Sequence, residues 1–173
     1  FNPAVTVGLL VGGNIEPIKA ALYIIVQFIG GIVAAFLIVG VLGGAEAEGV
    51  VAFLGDPSGF NYGQTTGFLT EPNVWGAAII EAILIFFLLS AIYQSAVYGK
   101  AGDLAAIPIG LTLAACIFAT GGMTGASVNP ARTLGPALVA GDLSYIVPYL
   151  VGLFGGGVVA GLVHTYVLAP TEQ

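Results

Sequence analysis

Apolar positions in this chain run in long unbroken blocks, not in the alternating or one-faced patterns of a water-soluble fold. Four blocks, approximately 18–42, 74–98, 104–122 and 145–168, stand out. Each is long enough to cross a bilayer as a helix, which takes about 20 apolar residues for a hydrocarbon core of roughly 30 Å. Polar or glycine-rich punctuation marks their ends: GGAEAEG after the first, YGKAGD after the second, GGMTGAS after the third and GDLS before the fourth. Two shorter apolar pieces, PAVTVGLLVG at 3–12 and PARTLGPALVA at 130–140, do not fit this scheme. At about 1.5 Å per residue they reach only ~15 Å, half a bilayer. Each starts with Asn then Pro, the signature of a side-chain N-cap and of a first helical position that needs no N–H.

The two short pieces are copies of one phrase. FNPAVTVGLL and VNPARTLGPA match at Asn2/Asn129, Pro3/Pro130, Ala4/Ala131, Thr6/Thr133 and Gly8/Gly135, a spacing of 127. VQFIGGIVAAFL (26–37) also aligns with VGLFGGGVVAGL (151–162), at six of twelve positions and a spacing of 125. A half-helix followed by a spanning helix therefore occurs twice, and the repetition argues against a pair of ordinary interfacial turns. The second repeat, 74–168, carries two further spans, 74–98 and 104–122, ahead of its half-helix; the first repeat, 1–42, opens at Phe1 inside the motif, without Met or leader. By symmetry roughly 55 residues with two spanning helices are expected ahead of Phe1. Three spans per repeat insert the repeats in opposite orientations. Lys19 and Lys100 then share one side, which the positive-inside rule makes cytoplasmic. The connection 43–73, with Glu46, Glu48, Asp56 and Glu71 and no Lys or Arg, falls outside.

Composition fits a bilayer. Charged residues make up 7% of the chain, apolar ones 58%, and the mean hydropathy is +1.04, whereas a soluble domain carries about 25% charged residues. Three cations and a net charge of −6 offer no basic patch for nucleic acid. Cys116 is the only cysteine, so no internal disulfide and no Cys-based metal site is expected. No Ser/His/Asp set, metal cluster or phosphate loop reads from the sequence, and neither an enzyme nor a cofactor is expected.

Non-helical backbone survives at membrane depth only where protein buries it or water wets it. Two half-helices entering from opposite faces would meet start to start at the midplane and together make one broken span. The break exposes two helix N-termini, each with partial positive charge and unpaired N–H groups. Asn2 and Asn129 can accept from their own helix starts through the side-chain oxygen, leaving both amide NH₂ groups to point into a cavity. Such a site repels cations and protons and orients a neutral, oxygen-bearing molecule.

FNPAVTVGLL with GASVNPARTLGPAL resembles the paired Asn-Pro-Ala motifs of the aquaporin (major intrinsic protein) family. The likeness covers essentially the whole chain, since YIIVQFIGG and the helix bearing Glu81 match in order. Aquaporins are themselves the standard instance of exclusion by half-helix dipoles. The resemblance implies an all-α membrane protein, a right-handed helical bundle of two inverted repeats with two re-entrant half-helices, its first two spanning helices missing from this chain. It also implies a homotetramer in the lipid bilayer with a pore in each subunit. The motif residues Asn2, Pro3, Ala4, Asn129, Pro130 and Ala131 would form the constriction, and Arg132, Ala126 and Ile117 a selectivity filter toward the outer mouth. Backbone carbonyls of Gly125, Ala126, Ser127 and Val128 would line the path. Ile and Ala at the filter are similar to vacuolar-type plant members and certain archaeal ones, which pass water together with small neutral solutes. Thr133 and Ala137 depart from the pattern of dedicated glycerol channels.

The remaining polar residues admit two readings each. Arg132, a cation at membrane depth, either faces a wet cavity or snorkels to the surface. Ile117 and Ala126 either pack or line the pore. Glu81, mid-span, is a proton relay or, as in the family, an acceptor that braces the re-entrant loop; Gln27 would brace the first copy. His164 reads as an interfacial residue or a pH gate, Cys116 as core or lipid-facing. The Gly groups at 30–31 and 155–157 read as close helix contacts. The expected function is a passive channel for water and small neutral solutes such as ammonia, urea or glycerol. A coupled secondary transporter and a poorly conducting junction or scaffold protein are the alternatives.

Overall fold

The structure, a computed structural model, describes residues 1–42 and 62–170. Glu46, Glu48 and Asp56 of the expected connection lie outside the described residues. Among the described residues six α-helices follow in order: α1 (Pro3–Val11), α2 (Pro17–Leu42), α3 (Val74–Ile92), α4 (Ala106–Thr124), α5 (Pro130–Ala140) and α6 (Ile146–Tyr166). No strand occurs among the described residues. Four spans have membrane length: Pro17–Val41, Val74–Val97, Gly102–Thr124 and Ile146–Tyr166, of 25, 24, 23 and 21 residues. This is a multi-pass integral membrane protein. The second span closes with a π-helical turn at Tyr93–Val97, and the third opens with a 3₁₀ turn at Gly102–Leu104. Neither irregularity is visible in a purely apolar block.

The nine residues of α1 and eleven of α5 make half-helices, roughly 14 and 17 Å long at about 1.5 Å per residue. Both start in the same way. Asn2 (φ −145°, ψ 111°) and Asn129 (φ −157°, ψ 115°) are extended N-caps with Pro next. The Asn2 side-chain oxygen accepts from the Ala4 and Val5 amides at 3.0 and 3.4 Å, and that of Asn129 from Ala131 and Arg132 at 3.0 and 3.4 Å. Beyond α5, the Asp142 carboxylate accepts from the Ser144 hydroxyl and amide at 2.7 and 3.0 Å, which holds its carboxyl below the usual range.

Each half-helix packs on the long helix of the other repeat, α1 on α6 and α5 on α2. Small residues set these contacts. A Cβ on Gly157 would meet the Ala4 carbonyl oxygen at 2.6 Å, and one on Gly31 would strike the Ala131 carbonyl oxygen. A Cβ on Gly8 would meet the Gly157 carbonyl oxygen at 2.6 Å, and one on Gly135 would strike the Gly31 carbonyl oxygen. Gly31 is thus the counterpart of Gly157, a spacing of 126. The sequence alignment at 125 is off by one residue, because identities at Val26/Val151 and Leu37/Leu162 outscored the pairing that the contacts impose. Gly152 and Gly156 of α6 pack against the backbone of Ala78 and Ala82 on α3. Gly30 and Gly155, also expected to be close contacts, face open space.

The helices differ in cover. Within the most apolar 18-residue windows, 39% and 44% of residues are buried for the spans built on α3 and α6, but only 6% for those built on α2 and α4. Leu22, Val26, Leu111 and Ile117 are among the exposed apolar side chains on the latter pair.

Candidate functional site

The two half-helices meet through their caps. The Asn2 side-chain amide donates to the Val128 carbonyl at 2.7 Å, and the Asn129 amide donates to the Phe1 carbonyl at 3.0 Å. Each Asn thus uses its oxygen on its own helix and one N–H on the residue preceding the other Asn. The sequence reading left both NH₂ groups free; the structure commits one N–H of each to this crosswise clamp. One N–H per side chain then has no partner within the clamp. Two helix starts with their partial positive charges face each other here.

The loop from α4 into α5 has an unusual backbone. Gly125, Ala126 and Val128 have φ of 80°, 41° and 53°. The left-handed region is unfavourable for a residue with a Cβ and most of all for a β-branched one. Glu81, fully buried on α3, holds this conformation. Its Oε1 accepts from the Thr124 hydroxyl at 2.7 Å and the Ser127 amide at 2.9 Å, and its Oε2 accepts from the Val128 amide at 2.8 Å. The Thr124 hydroxyl in turn accepts from the Ala126 amide at 3.1 Å. With its N–H groups turned to Glu81, the loop presents carbonyls to the other side. The Val128 carbonyl is the one Asn2 engages.

A cavity of about 1040 Å³ runs along α1 and the start of α5, bordered by Asn2, Leu9, Ile117, Ala126, Asn129 and Arg132. Gly125, Ser127 and Val128 also border it, so the four residues expected to offer carbonyls and the three expected filter residues share one space. Ile117 is 49% exposed toward it and Ala126 only 7%. Arg132 follows the second motif directly, and its guanidinium donates through Nη1 to the Gly63 carbonyl. Val5, its counterpart in α1, also borders the cavity. Ile15, Leu22 and Tyr23 mark the cavity toward the end of the bundle that bears Lys19.

Gln27 touches the first half-helix, not a loop: it shares two contacts with the Thr6 hydroxyl, at 3.1 and 3.3 Å. His164 is not the exposed interfacial group that one of its readings expected. It is 1% exposed, stacked on Tyr93 with ring centroids 4.9 Å apart, and neither ring nitrogen has a hydrogen-bond partner among the described residues. Tyr93, which opens the π-helical turn, and Tyr98, just after it, both lie against the ring. Cys116 is buried. Two residues near the loop were missed by sequence reasoning: Thr124, which links Glu81 to Ala126, and Tyr149, whose hydroxyl donates to the Thr124 carbonyl at 2.9 Å. A tyrosine within an apolar span is a weak signal for such a role.

Residues 1–164 match the family described as Major intrinsic protein. The chain is similar to a probable aquaporin TIP2-2 from Arabidopsis thaliana, 39% identical across all of this chain and 66% of that protein. It is also similar to an aquaporin TIP2-3 from the same plant, 40% identical over 95% of this chain and 60% of that one. The chain therefore spans less than two thirds of the length of these relatives. Among solved structures, the aquaglyceroporin from Plasmodium falciparum superposes with a TM-score of 0.70 over 98% of this chain and 72% of that one. At 21% identity that match speaks for the fold alone.

Proposed function

The chain belongs to the major intrinsic protein family, and from that premise we propose that it forms a passive channel for water and small neutral solutes, closed to ions and protons. The observation that carries this is the crosswise clamp of Asn2 on Val128 and Asn129 on Phe1, set beside a cavity that Arg132 borders. Two helix N-termini and a guanidinium concentrate positive potential where a permeant molecule would pass, which raises the barrier to cations. The second N–H of each Asn is a donor for a passing oxygen atom. Arg132 offers further donors toward the end bearing Gly63, and Ile117 and Ala126 make the mouth there apolar. That combination suits water with ammonia, urea or glycerol. A homotetramer in the bilayer, and two further spanning helices covering α2 and α4, complete the proposal.

Glu81 is the acid a coupled transporter would use. Its three hydrogen bonds to Thr124, Ser127 and Val128 and its complete burial favour a bracing role. Vesicle swelling separates the two: the proposal requires linear flux insensitive to pH and sodium gradients. Saturable, gradient-driven uptake abolished by Glu81→Gln would establish a transporter instead. Near-zero water flux from the full-length protein in liposomes would favour a junction or scaffold role.

A further inference from the structure

Residues 63–70 are laid against the last turn of α4 and the re-entrant loop that follows it. The Phe68 and Leu69 amides donate to the Gly122 and Met123 carbonyls, both at 3.0 Å. A Cβ on Gly125 would lie 2.6 Å from the Thr65–Thr66 backbone. Within this strap Thr65 is fully buried, and its hydroxyl donates to that of Thr133 at 3.1 Å. Thr133 is also fully buried and contacts the Ser127 hydroxyl, which donates to the Asn129 carbonyl at 2.8 Å. Because the Ser127 proton goes to Asn129, Thr133 donates to Ser127 and accepts from Thr65; the Thr65 hydroxyl also touches that of Tyr145, which donates to Gln64 of the same strap at 3.1 Å.

The internal symmetry gives the contact its meaning. Thr6, the counterpart of Thr133, is held by Gln27 of α2. At the spacing of 126 the counterpart of Gln27 is Leu153, which cannot hydrogen-bond. In the second repeat the strap supplies the missing partner. The same strap carries Gly63, whose carbonyl takes Arg132.

We propose that Thr65 is a positioning residue for solute selection: its hydroxyl locks the strap to α5 and the Asn129 turn, so that Gly63 holds Arg132 at a fixed distance across the mouth. Thr65 does not border the cavity and acts through Thr133, Tyr145 and Gly63. The proposal rests on the channel function above. The test compares full-length wild type, Thr65→Val and Thr65→Ser in proteoliposomes, reading the ratio of urea to water permeability at matched protein insertion. Thr65→Val removes the hydroxyl at nearly constant shape and raises the ratio about fivefold, the factor equivalent to one buried hydrogen bond. Thr65→Ser keeps the wild-type ratio. Thr133→Val removes the acceptor from the α5 side together with the Ser127 contact and gives at least the same rise, and Thr65→Val adds nothing on top of it. An unchanged ratio in Thr65→Val, or a serine variant that behaves like valine, overturns the proposal. If wild type passes no water, the channel function has failed instead. The lock is then read from melting temperatures of the same variants, where additive losses from Thr65→Val and Thr133→Val would overturn it.

Discussion

Replacing Glu81 with Leu removes the acceptor that holds the second re-entrant loop. The Thr124 hydroxyl can rotate to another acceptor, but the Ser127 and Val128 amides, turned inward at 2.9 and 2.8 Å from the carboxylate, cannot. A stranded buried N–H costs about 1–3 kcal/mol, and hydrogen bonds measured within membrane proteins average about 0.6 kcal/mol. The expected net destabilisation for Glu81→Leu is about 2–4 kcal/mol. Glu81→Gln separates charge from geometry. Its remaining oxygen can still serve Thr124 and Ser127, which share Oε1, while its NH₂ would stand donor to donor against the Val128 amide. Its cost is one stranded amide, about 1–3 kcal/mol. Reversible unfolding in mixed micelles measures both, and osmotic water flux at matched insertion reads whether the Val128 carbonyl still reaches Asn2. A Glu81→Leu protein as stable as wild type, or a Glu81→Gln protein no better than Glu81→Leu, would refute the bracing role.

Three other changes probe separate links. Arg132→Val is expected to assemble normally and to raise proton and solute leakage in vesicles; unchanged leakage would place the guanidinium away from the constriction. Gly157→Ala drives a Cβ to 2.6 Å from the Ala4 carbonyl oxygen and should cost about 1–3 kcal/mol with loss of water flux. Gly155→Ala, whose Cβ meets nothing within 4 Å, should stay within about 0.5 kcal/mol of wild type in the same unfolding assay. His164→Phe keeps the stack on Tyr93 and removes two unpartnered ring nitrogens, so it should stabilise by roughly 1 kcal/mol; a lowered melting temperature would show that His164 has an unrecognised partner.

The short apolar pieces with Asn-Pro at their heads were readable as half-helices because N-capping is local chemistry: Asn2 and Asn129 do in the structure what their spacing from the first amides allows. The long spans were readable for the same reason, each being a single block. What depended on two distant segments was not. The crosswise amide bonds join residues 126 and 128 positions apart. The left-handed Ala126 and Val128 carry no glycine to announce them, since Glu81, 47 residues before Val128, enforces the geometry. The true spacing of the long helices, set by Gly31 and Gly157 against the opposite half-helix, differs by one residue from the best match of letters. Thr65 stood in a polar stretch of the connection with nothing local to distinguish it from Thr66.

The central claim is that two Asn-headed half-helices abut and clasp each other at mid-membrane. Solid-state NMR in lipid, with ¹⁵N on the asparagine side chains and ¹³C on the Val128 and Phe1 carbonyls, measures it directly. A weak but measurable ¹⁵N–¹³C dipolar coupling is expected for both pairs, because N···O distances of 2.7 Å for Asn2 with Val128 and 3.0 Å for Asn129 with Phe1 leave each nitrogen within one hydrogen bond of the labelled carbonyl. Absence of coupling in either pair would contradict it.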